Sequence, residues 1–304
     1  MEWLAKSHSP NPFETRGHSD SSAGSCSGSF NDHDTIGDSA AIMGMLFDCM
    51  GAIDSGCFGT VYKAKHKLDG QLYAIKCVQL PEDYNYDDLG EIRSLITARS
   101  PYVVRYYNSW LTGHRLYIQM ELCSGSLRTV LNNRCDIFRR WANSQLKPMK
   151  TIEYFITCNI YRELLECVQH LHQLKPALNH RDLKPENILI ARKPRNGRFV
   201  VLGDFGLSST LDKHVDYDSF SRNRDCVDVM ALGRIGHEMF EFADDRAHSH
   251  KAQTPHDVIV KIKMTKLKSQ ITMMISPNIK DRPECRQVLA RYGDWAVERN
   301  VVRR

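Results

Sequence analysis

The run His180-Arg181-Asp182-Leu183-Lys184-Pro185-Glu186-Asn187, followed seventeen residues after Asn187 by Asp204-Phe205-Gly206, decides how this chain is read. Transfer of a phosphoryl group needs a carboxylate beside the attacking hydroxyl, a cation on the moving phosphate and oxygen ligands for magnesium. Asp182, Lys184, Asn187 and Asp204 supply those groups in that order. Asp182 would accept the hydroxyl proton and Lys184 would neutralise the phosphate, while Asn187 and Asp204 would hold Mg2+.

Composition sets ordinary bounds. A chain of 304 residues allows about two domains of ~150 residues each. The apolar and charged fractions, 42% and 25%, are those of a globular protein. A net charge of +5 is too mild to imply nucleic acid, and no direct nucleic-acid binding is expected. The ten cysteines are scattered without a C-x-x-C pair, which points to reduced thiols in the cytoplasm, with the nucleus the other compartment open to it. The apolar stretch from Ala41 to Phe47 is too short to span a bilayer, so no membrane partner is expected. It lies deep in the chain with no basic stretch before it, unlike a signal peptide.

Residues 1–46 are read as a tail, rich in Ser and Gly, that cannot bury enough apolar surface to offset its ordering entropy. The pattern changes at Phe47. Strands are predicted over Phe47–Ile53, Val61–His66, Leu72–Val78, Tyr102–Leu111 and Arg115–Met120, with a helix over Asp87–Arg99 carrying Leu89, Ile92, Leu95 and Ile96. Ile152, Phe155, Ile156, Ile160, Leu164, Leu165, Val168 and Leu171 form the apolar face of a long helix. Ile188–Ile190 and Phe199–Leu202 form a hairpin turned by Asn196-Gly197. Further helices are predicted at about 227–243, 255–275 and 284–298, the second opened by Thr254-Pro255. Lys261, Lys263, Lys266 and Lys268 read as a solvated helix face.

Residues 47–298 resemble the eukaryotic protein kinases, on the two motifs above together with Asp54-Ser55-Gly56-Cys57-Phe58-Gly59-Thr60-Val61, Tyr73-Ala74-Ile75-Lys76 and Met120-Glu121-Leu122-Cys123. The resemblance implies an α+β, bilobal fold. A five-stranded N-lobe with one main helix would span 47–120, a hinge 121–125 and a mainly helical C-lobe 126–298, with a short tail at 299–304. It also implies ATP as cofactor. Gly56 and Gly59 would let backbone N–H groups approach the phosphates. Lys76 would bind phosphate in a pair with Glu91, and Glu121 and Cys123 would meet adenine through backbone groups. Val61 and Ala74 would cover the ring from one side and Leu189 from the other. Lysine in Asp-Leu-Lys-Pro-Glu-Asn is the serine/threonine form, so a protein substrate is expected.

The phrases Lys67-Leu68-Asp69-Gly70, Val103-Val104-Arg105-Tyr106-Tyr107-Asn108-Ser109-Trp110 and Leu116-Tyr117-Ile118-Gln119-Met120-Glu121-Leu122-Cys123 are similar to the kinases of translation initiation factor 2 α subunit. The Wee family of cell-cycle kinases comes second. The first reading implies control of translation, that α subunit as substrate, docking on the helix opened at Thr254, and room for a homodimer.

The chain also departs from the pattern. Asp54 stands where the first glycine of the phosphate loop is expected. Trp110 to Arg115 leaves no insert after the fourth strand, and the first 46 residues are too few for a sensor domain. Only Leu207 to Val227 separate Asp-Phe-Gly from the helix motif at Asp228, and Ala-Pro-Glu does not occur. Asp281-Arg282-Pro283 remains, so Arg282 needs another partner for its charge. The alternatives to an active kinase are an ATP-binding regulator, a shortened isoform, and an incomplete transcript.

Overall fold

The computed structural model describes residues 39–56, 59–83, 90–142, 145–146, 149–206, 209–210, 217–242 and 255–302. The chain divides into two compact units, residues 1–84 with 107–122 and residues 85–106 with 123–304.

The first unit opens with helix α1 (Ser39–Leu46) and continues into strands β1 (Phe47–Gly56), β2 (Gly59–His66), β3 (Leu72–Gln79), β4 (Tyr106–Thr112) and β5 (Arg115–Glu121). They form one sheet in the order β1-β2-β3-β5-β4. β-Branched and aromatic residues suit these half-buried strands. The expected five strands are all present, but the fourth starts at Tyr106 instead of Tyr102. Tyr102–Val104 is drawn off by the other unit, where Leu202 N–H donates to Tyr102 O (2.9 Å) and Val104 N–H to Leu202 O (2.8 Å).

The core of this unit is Phe47, Ala64, Tyr73, Ile75 and Tyr117, with Met43, Leu46, Cys77 and Trp110 packed on it. Phe47 and Tyr117 lie on either side of Trp110 in stacked contacts at 6.0 and 5.3 Å. The tail expected through residue 46 is therefore corrected at its end. Residues 1–38 lie outside the described residues, but Ser39–Leu46 is helical and delivers Met43 and Leu46 to the core. The polar composition of the first forty residues masked a short apolar run that has surface to bury.

The second unit holds α2 (Gly90–Thr97), β6 (Gly125–Ser126), α3 (Leu127–Ile137), α4 (Thr151–Gln173), β7 (Leu178–Asn179), β8 (Ile188–Arg195), β9 (Arg198–Leu202), β10 (Ser209–Thr210), α5 (Tyr217–Met239), α6 (Pro255–Met274), α7 (Cys285–Ala290), α8 (Tyr292–Trp295) and α9 (Arg299–Val302). Part of the helix expected over 87–99 lies outside the described residues. Of its apolar face Leu95 is buried, whereas Ile96 is exposed. Helix α3 was not expected from apolar spacing. Ser126 caps it, its Oγ accepting from Thr129 N–H at 3.4 Å.

Helix α4 carries the buried stripe Ile160, Leu164, Leu165, Val168 and Leu171 as expected, whereas Ile152, expected on the same face, is exposed in its first turn. From the same helix, the buried Glu163 accepts from Phe199 N–H (2.8 Å) and Val200 N–H (3.0 Å) and so holds strand β9. The β8–β9 hairpin turns at Asn196 (φ 50°) and Gly197 (φ 77°), the left-handed pair that a two-residue hairpin turn requires. Helix α5 starts at Tyr217, ten residues before the expected 227. The helix expected over 284–298 is broken into α7 and α8 at Arg291. Arg282 donates Nε to Ser276 O at 2.8 Å. Thr254 lies outside the described residues, and α6 begins at Pro255 as expected.

Candidate active site

The glycine turn and the lysine strand belong to the first unit. Gly56 and Gly59 face each other at the β1–β2 turn. A Cβ on Gly59, at φ 108°, would lie 2.2 Å from Cys77 O, so only glycine fits there. Val61 pairs with Lys76 across β2 and β3, and Ala74 pairs with Met120 across β3 and β5. Lys76 is 4% exposed, well below what an idle surface lysine shows. Glu121 ends β5 opposite Tyr73.

The second unit holds the other expected residues. Glu91 lies at the start of α2, in the other unit from Lys76, with which it was expected to pair. Leu189 pairs with Ser126 in the β8–β6 ladder, and Ser124 N–H donates to Ile190 O (2.7 Å), which fixes the segment after Cys123. A Cβ on Gly203 would lie 2.7 Å from Leu189 Cδ1, a close approach only glycine allows without displacing that side chain.

Asp182, Lys184 and Asn187 converge. Lys184 Nζ donates to Asp182 Oδ2 at 2.7 Å. Asn187 Nδ2 donates to the same oxygen at 3.0 Å and to the Asp182 carbonyl at 2.8 Å. The loop between them is a turn closed by Asn187 N–H on Lys184 O at 3.0 Å. The hydrogen bond to Asp182 raises Lys184 above the ordinary lysine range, with Asp182 and Asp204 charges acting the same way. Lys184 is thus held cationic. Asn187 commits its amide nitrogen to Asp182, so Oδ1 is the side-chain atom with which it could ligate a metal.

Asp204 is tied to this turn through its neighbour, since Gly203 N–H donates to Asn187 O at 2.9 Å. Its backbone is left-handed (φ 56°), as is that of Arg181 (φ 66°). Such strain in non-glycine residues costs on the order of 1–3 kcal/mol each and persists only where the surroundings enforce it.

The enforcing residue is one that motif reading recognised only as the start of a helix. Asp228 is 1% exposed and accepts from His180 N–H (2.9 Å) and Arg181 N–H (2.9 Å), with His172 Nε2 at 3.0 Å. Burial alone would raise its carboxyl, but the His172 contact and the remaining partners hold it below the usual range. His180 bonds Gly203 O through Nε2 (2.9 Å), and burial pushes its imidazole down, so it is neutral. It joins the catalytic loop to the Asp-Phe-Gly turn, which is a structural role.

The donor set suits a nucleotide-bound hard cation. Asn187 Oδ1 and Asp204 are two oxygen donors, and among the described residues no group of three His, Cys, Asp or Glu side chains gathers to hold a metal alone. Magnesium is commonly bound by one or two protein oxygens together with phosphates.

A protein kinase domain model matches residues 47–292. The chain belongs to the protein kinase family. It carries a protein serine/threonine kinase domain, and its relatives bear that out. The serine/threonine-protein kinase dst2 of Dictyostelium discoideum is 35% identical over 176 residues, 58% of this chain and 14% of that protein. The interferon-induced, double-stranded RNA-activated protein kinase of Mus musculus is 28% identical over 289 residues, 82% of this chain and 51% of that protein. The serine/threonine-protein kinase hippo of Drosophila melanogaster is 32% identical over 167 residues, 55% of this chain and 22% of that protein. The chain thus spans about half or less of the length of these relatives. Among the described residues of the kinase, no helix is long and apolar enough to cross a membrane.

Of the four lysines read as a solvated face, three have partners. Lys263 Nζ donates to Gly293 O (2.7 Å), Lys266 lies 4.0 Å from Asp294, and Lys268 lies over the Phe242 ring. The sequence reading missed a buried ionic cluster altogether. Arg140, fully buried, donates through Nη1 and Nη2 to the two Glu241 oxygens at 2.8 Å each and through Nη1 to Glu153 at 3.1 Å. These residues lie far apart in the chain and belong to no motif, so only folding reveals them.

Proposed function

We propose that this kinase moves the γ-phosphate of ATP to a serine or threonine of a protein substrate, and that its substrate is the α subunit of translation initiation factor 2. The observation that carries the first part is the convergence of Lys184 and Asn187 on one oxygen of Asp182. With Oδ2 so engaged, Oδ1 is the oxygen left to accept the substrate hydroxyl proton. Asn187 Oδ1 and Asp204 would hold the metal, and Lys76 would bind phosphate from its buried place on β3. The nucleotide supplies the phosphoryl group, and its magnesium neutralises the charge on it. Asp228 acts at a distance by fixing the backbone of His180 and Arg181, and Asp182 follows directly after them.

The substrate assignment rests on the phrases around Val103–Trp110 and Leu116–Cys123. It is supported by the mouse double-stranded RNA-activated kinase, which matches the largest share of this chain among the three relatives described. Cytoplasmic action on the translation apparatus and a homodimer belong to the same proposal. The test is transfer of labelled phosphate to purified initiation factor 2 α beside a general substrate such as myelin basic protein. Label on the factor at a rate well above the general substrate is expected. Label on the general substrate alone rejects the substrate assignment and leaves the kinase.

A second reading is favoured by one observation. Only residues 207–216 separate Gly206 from α5, too few for the usual activation segment with Ala-Pro-Glu. A regulator that binds ATP without transferring it would show thermal stabilisation by magnesium–ATP and no labelled product.

A further inference from the structure

Helix α3 begins Leu127-Arg128 and has no acidic residue in its first turn. A cation at that place opposes the helix dipole, which favours negative charge at an N-terminus. Arg128 is nevertheless engaged on every side. Its main-chain N–H donates to Pro185 O at 3.0 Å. Its Nε donates to Glu186 Oε1 at 2.7 Å. Its Nη1 donates to Glu238 Oε1, and its Nη2 reaches Glu238 Oε2 at 3.4 Å. One arginine thus joins the start of α3, the turn between Lys184 and Asn187, and the end of α5.

Glu186 is the residue that gives this arrangement a consequence. It stands next to Asn187, and its carboxylate lies within electrostatic reach of Lys184 as well as Arg128. Lys184 therefore has three acidic neighbours, Asp182, which it bonds at 2.7 Å, Asp204 and Glu186. Its side chain is 42% exposed and carries the ammonium on a flexible stem. A Glu186 carboxylate released from Arg128 would compete with Asp182 for it. Only an arginine can hold Glu186 through Nε while its other nitrogens reach Glu238, because the guanidinium presents donors in a rigid fork.

We propose that Arg128 is a positioning residue for phosphoryl transfer, holding the Glu186 carboxylate so that Lys184 stays on Asp182. The inference rests on the reading of this chain as an active kinase, and it differs from a plain strut that ties three segments together. A strut is broken equally by removing either end. A sequestering residue is needed only while the carboxylate it sequesters is present.

The experiment is a double-mutant cycle on the full chain, with Arg128→Ala, Glu186→Gln and the two combined, and Arg128→Lys beside them. Phosphate transfer is measured at varied ATP. Arg128→Ala is expected to lower kcat about 5- to 10-fold with KM for ATP changed by less than about twofold, the size of effect a small misplacement produces. Glu186→Gln is expected to stay near the unaltered chain, the combined variant to return toward it, and Arg128→Lys to fall between. An unchanged kcat in Arg128→Ala overturns the proposal. So does a Glu186→Gln variant, or a combined variant, as impaired as Arg128→Ala. If the unaltered chain transfers no phosphate, the kinase reading fails by itself. The rise in melting temperature with magnesium–ATP, which needs no turnover, then decides the role of Arg128. A rise that shrinks in Arg128→Ala and recovers in the combined variant supports it, and equal rises reject it.

Discussion

Replacing Asp228 with alanine should cost the catalytic loop its anchor, and the structure sets the size of the loss. Asp228, itself 1% exposed, accepts two main-chain N–H groups at 2.9 Å each and faces His172 at 3.0 Å. Leaving a buried donor unsatisfied costs about 1–3 kcal/mol. Two such donors and the stranded imidazole bring the expected loss to about 3–5 kcal/mol, a large part of a typical domain's ~5–15 kcal/mol. The same bonds hold Arg181 at φ 66°, a strained conformation that relaxes once they are gone. Relaxation at Arg181 displaces Asp182, and a shift of ~1 Å there can lower turnover on the order of 10²-fold. Urea unfolding gives the first quantity. Single-turnover transfer, at a temperature where the variant stays folded, gives the second. Asp228→Asn keeps one acceptor oxygen and should fall between. A loss in Asp228→Ala below about 1 kcal/mol, the size of an ordinary substitution, with turnover near that of the unaltered chain, would refute the reasoning.

Other expectations follow from particular residues. Burial pushes Glu153 up to about 7, against the pull of Arg140. Arg140 gives Glu241 two bonds and Glu153 one, and Glu153 Oε2 has no hydrogen-bond partner among the described residues, so Glu153 is the carboxyl that keeps its proton. The folded state then binds a proton that the unfolded state releases above its ordinary value of 4.5. Stability from this group is fully present below that value and declines as pH rises through about 7. Urea midpoints from pH 4.5 to 8 should show the decline, and Glu153→Gln should flatten it; an equally steep decline in the variant rejects the assignment. Arg140→Met takes two bonds from the Glu241 carboxylate, which keeps Arg134 at 2.8 Å, and should destabilise the chain by about 1–3 kcal/mol in urea unfolding; an unchanged midpoint would contradict the buried cluster. Gly59→Ala places a Cβ against Cys77 O and should lower both the melting temperature and the affinity for ATP, read by thermal shift with and without nucleotide.

Much of the fold was legible because its signals are local. The period of α4 from Ile152 to Leu171, the Asn196-Gly197 turn and the β-rich stretches from Phe47 to Met120 each fix an element from neighbouring residues. The departures have non-local causes. Tyr102–Val104 has strand-like composition but pairs with Leu202 instead of extending β4. The helix expected over 284–298 breaks at Arg291, where Trp295 turns in to α4 through Tyr154, whose hydroxyl donates to Trp295 O at 2.6 Å.

The site divides in the same way. Asp182, Lys184, Asn187 and Asp204 could be named because the chemistry demands those groups in that order. Asp228 could have been named too, since it heads the helix motif after Asp-Phe-Gly, but its hydrogen bonds to the loop at 180–181 are visible only in three dimensions. Arg128 carries no sequence signal beyond an arginine at the wrong end of a helix. Its partners Glu186 and Glu238 lie 58 and 110 residues away.

The central claim is that Asp182, held by Lys184 and Asn187, makes this chain a phosphoryl-transfer enzyme in spite of its short activation segment. The most direct test is magnesium-dependent transfer from labelled ATP to protein, comparing the unaltered chain with Asp182→Asn. The account predicts labelled product from the first, abolished without magnesium and in the variant. Equal label from both proteins, or none from the unaltered chain while magnesium–ATP still stabilises it, would contradict the account.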